Sequence, residues 1–153
     1  MKNAIRILGL CLLLAGGHAS AQQQFTCPQL PPGANLQWEQ QEGQDFLSCK
    51  AFTADGRQAL GIMLTPRDPK LSLVRSHRAE KGVIEEEKFH WYIPDLAGLT
   101  PAQLASRRVA TVDFGKNRYA QIWVEAANAD ELRTLQGIVQ NLNMQTVQFA
   151  SGK

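Results

Sequence analysis

The 153-residue chain has only three cysteines and three histidines, and no large excess of either charge: 16 Lys and Arg stand against 14 Asp and Glu. Its only long apolar run, Ile7–Ala15, is well short of the about 20 residues that span a bilayer. Nothing in the balance of charge selects nucleic acid or anionic lipid as a partner. The motifs of common catalytic and cofactor sites are missing as well. There is no G-x-S-x-G, Walker loop, G-x-G-x-x-G, H-E-x-x-H or EF-hand loop. The sequence therefore calls for no cofactor and no metal, and it points away from an enzyme.

What is present begins with an export signal. Lys2 and Arg6 precede the apolar run, and Ala19 and Ala21 follow it in A-x-A spacing. That order predicts a signal peptide over 1–21, cut before Gln22. Cys11 lies inside the apolar run without the small residues that lipidation needs, so it leaves with the signal. The cut removes two of the 16 basic residues and no acid, leaving 14 of each sign. The mature protein is expected to be periplasmic or secreted, with no membrane anchor after cleavage. Cys27 and Cys49 remain, and an exported chain with an even number of cysteines is usually oxidised. One pairing is possible, Cys27–Cys49.

The expected organisation is a Pro/Gln-rich arm over 22–34, one domain over 35–149 and a tail over 150–153. Leu36–Leu64 reads as a three-strand meander with turns at Glu42-Gly43 and Asp55-Gly56. The second turn opposes Cys49 to Ile62 and Leu47 to Leu64; the first opposes Trp38 to Leu47. Leu71–Tyr92 reads as a longer hairpin turning near Ala79–Gly82; with Lys81-Gly82 as a two-residue turn, His77 stands opposite Glu86. A short helix over Leu99–Ser106 follows, with Thr100 and Gln103 as a capping box around Pro101. Arg108–Ala126 is a hairpin about Gly115–Asn117, opposing Val112 to Ala120. Asn128–Met144 is the best helix, with Leu132, Leu135, Val139 and Leu142 on one stripe. The fold class is α+β: a six- to seven-stranded, mostly antiparallel sheet, with the C-terminal helix packed on one face.

Candidate chemistry is sparse. His77, His90 and Glu85–Glu87 spread too far along their strands to hold one ion. Ser76 and His77 point to opposite faces, so they cannot act as a nucleophile and base. Tyr119 and Trp123 share the strand face opposite Ala120, Ile122 and Val124, with Arg108 and Asp113 as neighbours. Either the arm or the second hairpin covers these rings, or they form a binding face. The leading expectation is a non-enzymatic binding protein that contacts another envelope or secreted protein, as an inhibitor, immunity-type or assembly factor. The alternative is a small-ligand or glycan-binding module, and the third reading is a hydrolase. A flat patch at Trp123 fits the first, an apolar cavity the second, and a cleft gathering His77 or Glu85 the third. N-terminal sequencing of the exported form should read from Gln22, and its intact mass should carry no acyl chain; a mass retaining residues 1–21 refutes the export reading.

Overall fold

A computed structural model describes residues 26–145 and 147. The expected signal peptide and cleavage site, the first residues of the expected arm and the tail over 150–153 lie outside the described residues. So do residues 146, 148 and 149. Seven strands form one antiparallel sheet: β1 (Leu36–Glu42), β2 (Leu47–Thr53), β3 (Gln58–Thr65), β4 (Arg78–Ile84), β5 (Glu87–Tyr92), β6 (Arg107–Asp113) and β7 (Tyr119–Glu125). A short helix α1 (Pro101–Ala105) precedes β6, and the long helix α2 (Ala129–Gln140) follows β7. The α+β class is thus the one expected. The sheet order is β1-β2-β3-β7-β6-β5-β4. Consecutive strands β3 and β4 stand on either side of β7, β6 and β5, so the chain between them has to cross the sheet.

Strand alternation divides the sheet into a dry face and an outer face. Leu47, Cys49, Ala51, Leu60, Ile62, Leu64, Ala110, Val112, Ala120, Ile122 and Val124 are all buried, as the alternation requires. Helix α2 supplies the facing layer through Leu132, Leu135, Ile138 and Val139, and Leu142 and Met144 extend it past the helix end. The helix stops at Gln140, a turn before the expected Met144. Asn128 caps its start by accepting from the N–H groups of Asp130 and Glu131. The capping box of α1 also forms as expected, with Thr100 accepting from the Gln103 N–H.

The arm completes the core over the first hairpin. Cys27 and Cys49 are disulfide-bonded, with Cα atoms 5.8 Å apart. Closing a loop of this length contributes on the order of 3 kcal/mol in the chain-entropy model. The Trp38 indole N–H donates to the Pro28 carbonyl at 2.7 Å, and Leu30 and Ala34 pack against the core.

Two hairpins keep the expected register and two do not. Cys49 pairs with Ile62 and Val112 with Ala120. At Asp55-Gly56 the loop is one residue longer than expected, with the Thr53 N–H bonded to the Arg57 carbonyl. A bulge at Ala51/Phe52 absorbs the extra residue, so the pairing beyond it is unchanged. In the first hairpin Trp38 faces Ala51 rather than Leu47, because the turn spans Gly43 to Phe46, closed by the Gly43 N–H on the Phe46 carbonyl. The shift is even, so the same side chains still face inward. In the second long hairpin the turn falls at Glu85-Glu86 rather than Lys81-Gly82. Lys81 pairs with His90, and His77 sits in a 3-10 turn (Arg75–His77) instead of opposite Glu86.

Both differences have one cause. A Cβ at Gly43 would lie 2.1 Å from the Phe46 ring, and one at Gly82 would lie 2.4 Å from the Phe89 ring. Both glycines make room for an aromatic ring: Gly43 opens a longer turn that folds Phe46 back over it, and Gly82 lies within β4 and forms no turn. The turn that does form puts Glu85 at φ 55°, and its carboxylate accepts from the N–H groups of Met144 and Gln145, at 2.6 and 2.8 Å. Leu135 is buried at the centre of the helix–sheet layer, so Leu135→Ala should cost about 2–5 kcal/mol in a denaturant titration. A loss below about 0.5 kcal/mol, typical of exposed positions, would mean that the helix does not dock there.

Candidate functional site

On the outer face one row of residues crosses all seven strands in register: Glu39, Lys50, Gly61, Trp123, Val109, Tyr92 and Arg78. Its ends are charged and its middle is apolar. α2 packs on the dry face and cannot reach this row. Part of the β3–β4 connection, Leu71–Val74, lies over the middle of it, together with the segment that follows β5, Ile93–Leu96. The end of the β3–β4 connection is tied to the segment after β5 by the Ile93 N–H, which donates to the His77 carbonyl at 2.9 Å.

Between these segments and the strands lies a cavity of about 270 Å3. Gly61, Trp123, Val109 and Tyr92 form its floor, and Leu71, Leu73 and Ile93 contribute apolar wall. Gly61 matters here because the Trp123 ring lies across it. A Cβ on Gly61 would meet the ring at 3.6 Å. The absence of a side chain on Gly61 therefore keeps the floor low. Of the three exposed large hydrophobic side chains among the described residues, two line this cavity: Val74, 49% exposed, and Leu96, 44%.

The polar residues lining the cavity include His77, Ser72, Asp95, Gln58 and the ion pair between Arg107 and Glu125. No hydrogen bond joins His77 to Ser72 or to Asp95 among the described residues, so no nucleophile–base pair is assembled there. The Tyr92 hydroxyl accepts from Arg78 at 3.2 Å, and the guanidinium lies 5.7 Å from the ring centre. Farther along the same pair of strands, partial burial and the charges of Arg78 and Lys81 hold the His90 imidazole below its ordinary pKa.

The four residues expected to form one binding face separate. Trp123 is half-buried in the cavity floor. Tyr119, also half-buried, is at the other end of β7, paired with Thr65 and Asp113, and does not line the cavity. Asp113 is exposed and accepts from the Gly115 N–H at 2.8 Å, which makes it part of the turn. Arg108 is a correction. It pairs with Val124, so its side chain points to the dry face, away from Trp123. The alternation that put Ala110 and Val112 inside also put Arg108 there.

Arg108 is only 8% exposed, and its charge is met. Nε and Nη2 donate to the two oxygens of Glu80 at 2.8 and 2.7 Å, while Nη1 donates to the carbonyls of Ala105 and Arg107. Gln136 of α2 adds a bond to the same carboxylate at 3.1 Å. The network therefore joins β6, edge strand β4 and the helix. No described residue of the arm lines the cavity, whereas Leu71–Val74, the start of the segment expected to form the second hairpin, does. The covering segments are the ones that enter and leave the β4–β5 hairpin. Their signal was in the sequence: Pro66 and Pro69 argue against a strand leading into Leu71 and for a long connection. No family model, curated protein or solved structure matches the chain.

The Arg108 network makes a pH prediction. Hydrogen bonds from Arg108 pull the Glu80 carboxyl from 4.5 to about 2. A lowered folded-state pKa means stabilisation that is full above pH 4.5 and is lost as pH falls toward 2. The Glu80 side chain is 45% exposed, so screening reduces the effect to about 1–2 kcal/mol. Urea titrations between pH 4.5 and 2 should show Glu80→Gln losing that much less stability than the parent. Equal losses in the two proteins would place the acid sensitivity elsewhere.

Proposed function

We propose that this is an exported binding protein whose site is the cavity floored by Trp123, and that the site takes a small apolar ligand or apolar moiety. The observation that carries the reading is the concavity itself. An aromatic floor, aliphatic walls and a few polar groups at the mouth are the usual make-up of a small-molecule site. A closed cavity of about 150 Å3 holds benzene; this one has room for a larger ring or a short aliphatic chain. The floor lies on four paired strands, so a ligand meets a surface already ordered and little binding energy is lost in arranging it. The disulfide supports an oxidising compartment, and among the described residues no helix is long and apolar enough to cross a membrane. Both fit the periplasmic or secreted location that the N-terminal pattern suggests.

A second reading is favoured by the exposed rim. Val74 and Leu96 give a partner protein two apolar contacts beside a pocket for one anchoring side chain, the arrangement found at interface hot spots. The two readings share a site and differ in whether an isolated small molecule suffices.

Calorimetry with decanol as a neutral probe tests the cavity. Trp123→Ala should weaken decanol binding by about tenfold or more while lowering folding stability by less than about 2 kcal/mol. Gly61→Val raises the floor without removing the indole, suits a strand and should block the same ligand. Unchanged binding in Gly61→Val refutes the cavity as the site. Absence of binding by decanol and by its ionic ten-carbon analogues alike refutes the small-ligand reading.

A further inference from the structure

Resting on the cavity reading, we infer that the preferred ligand is a free amphiphilic carboxylate, with its apolar part over Trp123 and its acid group on the basic surface of β4 and β5. The two halves of such a ligand have adjacent counterparts. Tyr92 belongs to the cavity floor, and Arg78, its partner across the strands, touches the Tyr92 hydroxyl and ring. Two residues along β5 on the same outer face is His90, paired with Lys81. Two residues further is Lys88, paired with Val83. A cationic strip thus runs from the mouth of the cavity along the hairpin.

Arg78, Lys81 and Lys88 are exposed, and none of them joins an ion pair among the described residues. Elsewhere Arg57, Arg67, Arg107, Arg108 and Arg133 all have carboxylate partners. Arg78 faces Tyr92, Lys81 faces His90 and Lys88 faces Val83, so no carboxylate stands opposite any of the three cations. An anion bound there supplies the missing counter-charge. A guanidinium pairs with a carboxylate through two parallel bonds, and the neighbouring lysine adds a third donor. The acid at the cavity wall, Asp95, is exposed on the opposite segment; it disfavours a head group placed there and so helps to orient the ligand toward Arg78. A single cavity of about 270 Å3 fits one short chain or one ring. That size selects a dissolved monomer over the twin chains of a bilayer lipid.

The experiment titrates the purified protein with decanoate, decanol and decylamine by calorimetry, below their micelle concentrations. Decanoate should bind about tenfold tighter than decanol, the step that a charge-assisted bond gives, and decylamine should bind weakest. Arg78→Gln/Lys81→Gln should erase the difference between decanoate and decanol. Those side chains are exposed, so the variant is expected to fold; its circular dichroism and melting confirm this before titration. Decanol binding as tightly as decanoate overturns the acid preference and leaves the cavity reading standing. A preference that survives in the double variant overturns the head-group assignment. Binding to phosphatidylglycerol vesicles without binding of monomeric decanoate overturns the free ligand in favour of a membrane surface. No binding of any of the three probes overturns both the inference and the reading beneath it.

Discussion

The path from β3 to β4 is the constraint on which the rest of the structure depends. Those strands follow each other in sequence but have β7, β6 and β5 between them in the sheet. A tight turn cannot join them, so a connection of a dozen residues has to travel across a face. The dry face is occupied by α2, which leaves the outer one. The connection therefore lies over Gly61, Trp123 and Val109, and the segment after β5 lies beside it. Loops lack the regular surface that would pack flat on a sheet. Space remains under them, and the residues there are apolar. The cavity follows from topology first and from side chains second.

The same economy explains the other cover elements. One helix of twelve residues is too short to roof seven strands. It packs against β7 and the edge strand β4. The arm, held by the disulfide and by the Trp38–Pro28 bond, covers the β1–β2 end. Where the helix meets β4 and β6 the layer includes a guanidinium, and burying it is tolerable only because Glu80, Gln136 and two carbonyls satisfy its donors. Leaving such a cation unpaired costs more than the pair itself contributes. The acid sensitivity of that corner follows from this.

How much was legible depended on what each glycine was for. Gly56 and Gly115 have positive φ, at 83° and 70°, and both hairpins built on them kept the expected pairing. Gly43 and Gly82 are not in that region. Each accommodates a phenylalanine ring; Gly43 also opens a turn, a longer one than expected, whereas Gly82 lies within a strand, and composition does not distinguish the two uses. Glu85, which does turn the chain, belongs to a residue type that seldom adopts positive φ, so no local signal marked it. The face of each strand survived these slips because a register shift of even length leaves the alternation intact. The site was only partly legible for a different reason. Trp123 could be placed on the outer face by alternation alone. Its neighbours Leu71, Leu73 and Ile93 come from distant segments, and their meeting depends on a crossing that no local pattern encodes.

The sheet is two meanders joined at one seam. β1, β2 and β3 pair through short loops, and β4 to β7 pair as a second local series, yet only β3 against β7 unites them. Leu60 meets Val124 there, and Leu64 meets Ala120. Bringing those strands together closes a stretch of roughly 60 residues before any contact compensates for the lost chain freedom. The barrier to folding therefore belongs to the seam, and each meander forms quickly but holds weakly alone. Until the seam closes, β3 and β7 each present an unpaired apolar edge. Those edges are the surfaces through which incompletely folded chains would associate with one another.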